Sequence, residues 1–332
     1  MSIRAIAIVT PVLDDWDAFQ RLVAEIGQTL TDAGLAVDVI AVDDGSAASP
    51  SPESFRRLDA PIRRLSLVRL ALNLGHQRAI AVGLVEASGR GDIDAVLVMD
   101  SDGEDRPADA GLLIERHQAA PGPIIFARRA RRSESLMFRL GHVAYKLLFR
   151  VLTGQTIAFG NFSLLPIAAV RRLCHMPDLW NNLAATIMRS RLDYDTVPTE
   201  RGRRYSGRSK MNWVGLVIHG LSALSVYSDV IMVRLLVAGA AIALVALAGI
   251  AAATAIRLAT DLAIPGWTTT VVGVGLVILI QTAVAIVVTV LVVLNARNRR
   301  PFVPIVDCGQ FVARRDDVEI ARVAAAPGAA AR

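Results

Sequence analysis

Residues Ala95–Pro107 read AVLVMDSDGEDRP. The run Ala95–Met99 has the length and apolar content of a buried strand. Asp100, Asp102, Glu104 and Asp105 follow it directly, and Pro107 opens a helical stretch to His117. The same alternation extends toward the N-terminus. Ala5–Val9, Val37–Val42 and Leu65–Leu70 read as strands, and Asp15–Ala33 and Gln77–Ala87 as the helices between them. Strands alternating with helices imply an α/β domain built on a mostly parallel sheet with flanking helices. In such sheets ligands bind beyond the carboxyl ends of the strands. Those ends carry Thr10-Pro11-Val12-Leu13-Asp14-Asp15, Asp43-Asp44-Gly45-Ser46 and Asp100-Ser101-Asp102-Gly103-Glu104-Asp105, so carboxylates gather on one edge.

Carboxylates this close repel one another unless a cation sits among them. Hard oxygen ligands suit Mg²⁺ or Mn²⁺ better than zinc, and a metal bound to a diphosphate is the natural partner. The turns hold no Gly-x-Gly-x-x-Gly or Walker-type loop, which excludes a Rossmann dehydrogenase or P-loop ATPase. The two cysteines, Cys174 and Cys308, lie far apart with no CxxC, which excludes a disulfide framework or zinc site. With 53% of its 332 residues hydrophobic and 20% charged, the chain is not a disordered protein. His76 and Gln77 open the helix after the third strand, where they either reach the ligand pocket or cap the helix. No serine or cysteine stands at triad spacing from His76 to suggest a hydrolase.

The C-terminal third differs in kind. Leu235–Ile256 contains no charge, and a helix of that length covers about 33 Å, enough for a bilayer core. A second uncharged run, Trp267–Leu294, follows a short linker, so the pair reads as a transmembrane hairpin over 231–256 and 267–294. Arg201, Arg203, Arg204, Arg208, Lys210 and Arg234 precede it, and Arg297, Arg299 and Arg300 follow. By the positive-inside rule both flanks are cytoplasmic, which makes this an integral protein of the cytoplasmic (inner) membrane. Residues 1–210 are then the cytoplasmic domain and 295–332 a cytoplasmic tail. Residues 211–230 are either an amphipathic helix at the interface or an ordinary helix covering the domain core. The Ala5–Leu13 run contains Pro11 and meets Asp14 and Asp15, so it reads as a strand rather than a signal peptide.

The ordered segments TPVLDD (Thr10–Asp15), VDDGS (Val42–Ser46), NLGHQRAIAVGL (Asn73–Leu84), MDSDGEDRP (Met99–Pro107), GNFSLL (Gly160–Leu165) and RRYSGRSK (Arg203–Lys210), followed by two spans, resemble the family 2 polyprenyl-phosphate glycosyltransferases of the cell envelope. Dolichyl-phosphate mannose synthase and bacterial undecaprenyl-phosphate sugar transferases belong to that group. The resemblance implies a GT-A fold. It places Pro11, Asp15 and Asp43 in the nucleoside pocket with Asp44 beside them, Asp100 and Asp102 on the metal and diphosphate, and Arg204, Ser209 and Lys210 near the phosphates on the membrane side. Arg128 and Arg139 are the phosphate contacts it suggests. Two departures stand out: Glu104 and Arg106 replace a Gln and a Pro of the usual pattern, and Asn161 stands where many relatives carry an aspartate proposed as the acceptor-side base. Asn161 is expected to orient the acceptor by hydrogen bonds, and no residue is assigned as base.

A lipid monophosphate needs none. Its second ionisation lies near ~6, so at neutral pH it is already an anionic nucleophile. Alignment and charge neutralisation remain, tasks for a divalent cation and for the arginines between Phe126 and Arg150, some of which would meet lipid headgroups instead. These arginines lack interleaved aromatics, so the net charge of +6 does not point to nucleic acid. The expected activity is inverting, metal-dependent transfer of a sugar from a nucleotide sugar, a UDP-sugar foremost, to undecaprenyl or a related polyprenyl phosphate. The alternative from another class is a silent scaffold that binds nucleotide sugar for a partner flippase or transferase. Gly and Ala in the first span permit the close helix contact of a homo-oligomer.

Overall fold

The computed structural model describes residues 3–48, 50–55, 62–129, 136–156, 159–205, 213–260 and 264–318. Its strands are β1 (Ala5–Val12), β2 (Ala36–Asp43), β3 (Arg64–Leu70), β4 (Ala95–Val98), β5 (Ile124–Arg129), β6 (Ser163–Pro166), β7 (Tyr194–Thr199) and β8 (Val312–Val318). Its helices are α1 (Trp16–Asp32), α2 (Pro52–Phe55), α3 (His76–Ser88), α4 (Pro107–Ala119), α5 (Leu136–Thr153), α6 (Ile167–Cys174), α7 (Leu183–Ser190), α8 (Trp213–Ser225), α9 (Ser228–Ala259), α10 (Trp267–Arg297) and α11 (Pro304–Asp307). The chain divides into two compact units: 1–143 with 157–226 and 302–332, and 144–156 with 227–301.

The first unit is a GT-A-like α/β domain. One eight-stranded sheet runs in the order β7-β5-β6-β4-β1-β2-β3-β8. β4, β1, β2 and β3 are mutually parallel, β6 runs against β4 and β5, and β8 runs against β3. Strand periodicity sorts the core into two layers. Ile6, Ile8, Val39 and Leu97 pack toward Phe19, Leu22 and Ile26 of α1 and Leu113 of α4. Ala7, Val9, Ile40 and Val98 pack toward Ile80 and Leu84 of α3, Leu173 of α6 and Ile187 of α7. Both faces are covered, which is why the central strands read as continuous apolar runs rather than alternating ones.

β1 extends three residues past the expected end, through Pro11 to Val12. Val9 faces β4, its carbonyl accepting from Met99 N–H at 3.2 Å, so Pro11, two residues on, faces the same side. There β4 has already ended opposite Val9, and the missing proline N–H leaves no ladder bond unmade. A second difference concerns the tail expected over 295–332: its residues Val312–Val318 form β8 and close the sheet edge at β3. Asp38 on β2, fully buried, receives Arg63 through Nε at 2.7 Å and Nη2 at 3.0 Å and Arg90 through Nη1 at 2.9 Å. Arg90 also donates to Ser66 Oγ at 2.6 Å, and Ser66 in turn donates to Asp317 of β8. An ion network centred on buried Asp38 thus ties the returning C-terminal segment to β2.

In the second unit α9 and α10, 32 and 31 residues long, are long and apolar enough to cross a membrane, and their apolar side chains are exposed. They exceed the 231–256 and 267–294 bounds by polar turns at their ends. They run antiparallel: Gly239 lies against Ile286, and at Gly275 an added Cβ would come within 2.6 Å of Ile250. These glycines therefore serve contact inside the hairpin. Phe149 of α5 is buried edge-on against Tyr227, ring centroids 5.8 Å apart. Returning to the first unit, α8 leaves Val217, Ile218 and Leu221 exposed while Ala223 and Leu224 are buried.

Replacing Asp38 with Ala removes the buried anion that two half-buried arginines share; Arg63 keeps Asp92 at 2.9 Å and Arg90 keeps Ser66, so the loss should fall below the about 3–5 kcal/mol of a fully buried pair. The Asp38→Ala chain should unfold at clearly lower denaturant than the parent in detergent; an unchanged midpoint contradicts the network's role.

Candidate active site

The site forms where β1, β2 and β4 end. Asp14, in the left-handed region at φ 51°, donates its N–H to Ser46 Oγ at 2.9 Å and accepts Ala47 N–H on Oδ1 at 2.7 Å, joining the loops after β1 and β2. Buried Asp43 accepts Ser46 N–H at 2.9 Å, and Asp15 lies half-buried at the start of α1. Asp44, taken from the sequence as a further pocket residue, turns the other way. Its Oδ1 accepts Leu74 N–H at 2.7 Å and its Oδ2 accepts Gly75 N–H at 3.0 Å, fixing the loop that leads into α3. Gly45, at φ +78°, passes so close that a Cβ would meet Asn73 N at 2.7 Å. Asp44 works as a loop clamp here, and its burial raises its pKa despite those bonds.

The loop after β4 is an ionic knot. Asp102 Oδ1 accepts Glu104 N–H at 2.9 Å, and Oδ2 pairs with Arg204 Nη2 at 2.8 Å. Glu104 takes Arg201 Nη2 at 2.7 Å, with Arg129 3.7 Å away. Asp105, almost fully buried, accepts Asp100 N–H at 3.0 Å and Arg129 Nη2 at 3.2 Å. Gly103, at φ +85°, lies under the Tyr205 ring, where a Cβ would stand 2.7 Å from it, and Tyr205 donates to Glu25 of α1 at 2.6 Å. The segment Arg201–Tyr205 thereby lies over the acidic loop, and Asp102 O accepts Tyr205 N–H at 2.9 Å.

Asp100 is treated differently. Its Oδ1 is shielded from solvent with no hydrogen-bond partner among the described residues, although His76 Nε2 stands 3.3 Å away. Burial first, then the charge of Asp102, pushes the Asp100 carboxyl up to about 7, while burial and then Asp100 push Asp105 up to about 7. Burial likewise lowers the pKa of His76 and favours the neutral imidazole. Gln77 and Asn161 complete this corner. Gln77 Nε2 donates to Asn161 Oδ1 at 3.0 Å, and Asn161 Nδ2 lies 3.1 Å from His76 Nε2.

His76, Gln77, Asn161 and Asp100 thus form one contiguous group, and Asp102 with Arg204 another beside it. Arg128 does not join them. On β5 it falls on the face opposite Ile125 and Ala127 and is exposed, whereas Arg129 takes the inner position against Asp105. Strand period two was the signal for choosing between neighbours. Asp105 and Arg129 were legible as residue types but given no role. The Arg139 side chain and residues Ser209 and Lys210 lie outside the described part of the structure. Among the described residues no three His, Cys, Asp or Glu side chains close into a metal cage. A divalent cation fits all the same: Asp100 offers an unpartnered hard oxygen, and Mg²⁺-type sites use one or two carboxylates and complete their shell with phosphates and water.

Residues 7–170 match the family described as glycosyl transferase family 2. The undecaprenyl-phosphate 4-deoxy-4-formamido-L-arabinose transferase of Pectobacterium carotovorum is 26% identical over 221 residues, covering 65% of this chain and 65% of that protein, just under two-thirds of the relative's length. An uncharacterized glycosyltransferase of Synechocystis is 22% identical over 213 residues, 63% of this chain and 64% of its own. Among solved structures, glucosyl-3-phosphoglycerate synthase from Mycobacterium tuberculosis, in complex with Mn²⁺, UDP and phosphoglyceric acid, aligns with TM-score 0.48 at 14% identity over 69% of this chain and 78% of its own. Mannosyl-3-phosphoglycerate synthase from Rubrobacter xylanophilus aligns with TM-score 0.49 at 15% identity over 68% and 73%.

The raised carboxyls make a pH prediction. The folded chain holds protons on Asp100 and Asp105 that the unfolded chain releases above the ordinary carboxylate range, so their contribution is full below about pH 4 and is lost as pH rises toward about 7. Without divalent cations, the melting temperature should fall from about pH 5 to about pH 8, and fall less in Asp105→Asn. Equal slopes in the two proteins contradict the assignment.

Proposed function

We propose, from the match of residues 7–170 to glycosyl transferase family 2, that the chain transfers a sugar from a nucleotide sugar, expected to be a UDP-sugar, to undecaprenyl or a related polyprenyl phosphate, inverting the anomeric centre. The observation that carries the reading is the row of strand-end carboxylates with one oxygen of Asp100 left without a donor. Asp100 and Asp102 would hold Mg²⁺ or Mn²⁺, which when bound supplies positive charge against a diphosphate leaving group. Arg204 neutralises Asp102 without the cation and would serve the diphosphate with it. Pro11, Asp15 and Asp43 line the edge assigned to the nucleoside, and the loop clamped by Asp44 forms its side. Ser209 and Lys210 belong to the phosphate side of this reading, with Arg128 and Arg139 toward phosphate or headgroup.

Three further points support it. The names of relatives such as the Pectobacterium protein give a polyprenyl-phosphate acceptor. The exposed apolar helices α9 and α10 suit an enzyme whose acceptor is a lipid. The helices α9 and α10 run antiparallel within the second unit, so as spans they would have both outer ends on one side of a bilayer, and the arginines at both flanks favour the cytoplasm for that side. A lipid phosphate is anionic at neutral pH, so the nucleophile needs alignment rather than a base, and an asparagine at position 161 is compatible with turnover.

Membranes carrying the protein, incubated with labelled nucleotide sugars and polyprenyl phosphate, should place label in the lipid fraction in a form released by mild acid. Chelation and Asp102→Ala should each lower transfer by at least about 100-fold. Transfer that survives Asp102→Ala contradicts the site, and donor binding with no lipid product across the panel favours a scaffold.

A further inference from the structure

The first N–H of a helix has no partner within it and must find an acceptor outside. The Leu183 N–H at the start of α7 finds Gln77 Oε1 at 3.0 Å. A backbone N–H can only donate, so this one contact fixes the orientation of every amide beyond it. Gln77 must turn its NH₂ to Asn161 Oδ1, 3.0 Å away, and Asn161 must then turn its own NH₂ to His76 Nε2, 3.1 Å away. Nε2 is therefore the acceptor nitrogen: the imidazole proton sits on Nδ1, and an in-plane lone pair occupies Nε2. Asp100 Oδ1 lies 3.3 Å from this same nitrogen and receives no donor. Once Asp100 is ionised, two electron-rich atoms face one another, an arrangement that a cation between them would satisfy.

We propose that His76 Nε2 and Asp100 Oδ1 are a nitrogen–oxygen ligand pair for the divalent cation, with Gln77 and Asn161 as positioning residues that keep the Nε2 lone pair unprotonated until the cation takes the place of the Asn161 amide. The inference rests on the transferase reading above and deepens it. Neighbouring ligands of an octahedral ion with bonds of 2.0–2.1 Å lie about 3 Å apart, close to the spacing of this pair. Both Asp102 oxygens are already engaged, by Glu104 N–H and Arg204, so His76 and Asp100 are the two donor atoms that face each other before any cation arrives. The pairing also bears on which metal is preferred. Imidazole favours Mn²⁺ over Mg²⁺ more than an all-oxygen site does, because nitrogen affinity rises along the transition series and hydrated Mg²⁺ holds to oxygen. Asn161 then acts on the metal side of the reaction and not on the acceptor.

The full chain in detergent, loaded with Mn²⁺ and UDP, tests this by pulsed electron paramagnetic resonance. The spectrum should show phosphorus coupling from the diphosphate together with a ¹⁴N coupling that changes isotope signature when histidine is ¹⁵N-labelled. His76→Phe should abolish the nitrogen coupling and weaken Mn²⁺ at least about tenfold while affecting Mg²⁺ less. Gln77→Glu is the more telling variant. A carboxylate accepts from Leu183 and also from Asn161, so the Asn161 amide reverses, its oxygen faces His76, and the proton moves to Nε2. Nitrogen coupling should disappear and Mn²⁺ should bind more weakly even though a negative charge has been added. Phosphorus coupling without nitrogen coupling in the parent protein overturns the pair and leaves the transferase reading standing. Failure of Mn²⁺ to bind with UDP present overturns both.

Discussion

Like charges gathered at one edge of a sheet must be compensated, and much of the domain around the acidic loop is arranged to do this. The loop after β4 carries Asp100, Asp102, Glu104 and Asp105 in half a dozen residues. Arg204 answers Asp102, Arg201 answers Glu104, and Arg129 answers Asp105 from β5, two strands along the sheet. The segment that delivers two of these arginines is held down by Tyr205 on Gly103 and by its hydroxyl on Glu25. Gly202 approaches so closely that a Cβ there would overlap Gly103 O. Of the four acids in this loop, only Asp100 keeps a buried oxygen with no donor among the described residues, and that oxygen marks the place for a cation in an acidic loop otherwise held by its own arginines.

The central βα repeats were legible because their signals are local and strong. Strands buried on both faces read as unbroken apolar runs, and α1, α3 and α4 fall within a residue or two of their expected bounds. The outer strands were not. β6 is the four residues Ser163–Pro166, too short to show a period. β7 is half-exposed, and β8, VARRDDV, carries its charges as an edge strand does. Neither looks like a strand until its partner is known. Among site residues, the strand-end position of Asp43, Asp100 and Asp102 was fixed by register. Side-chain direction was not: Asp44 beside Asp43 serves the loop of Leu74 and Gly75, and Arg129 rather than Arg128 meets the acidic loop. The bonding that joins His76 and Gln77 to Asn161 could not be read from the sequence, since the link from Leu183 to Gln77 spans 106 positions of chain.

The same kind of long-range closure brings the chain back to the first unit after the apolar helices. After Pro301 the chain returns to the first unit and inserts β8 beside β3, with Asp317 bonded into the network that Arg63, Arg90 and Ser66 build around buried Asp38. The apolar helices are therefore an insertion in a domain closed on both sides of them, rather than a tail hung from its end.

The central claim is that Asp100 is kept open for a divalent cation that carries the nucleotide diphosphate. Calorimetric titration of UDP into the purified full chain, with and without Mg²⁺, tests it most directly. The account predicts binding at least about tenfold tighter with the cation, a gain that disappears in Asp100→Asn. Equal UDP affinity with and without the cation, or a gain that persists in the variant, would contradict it.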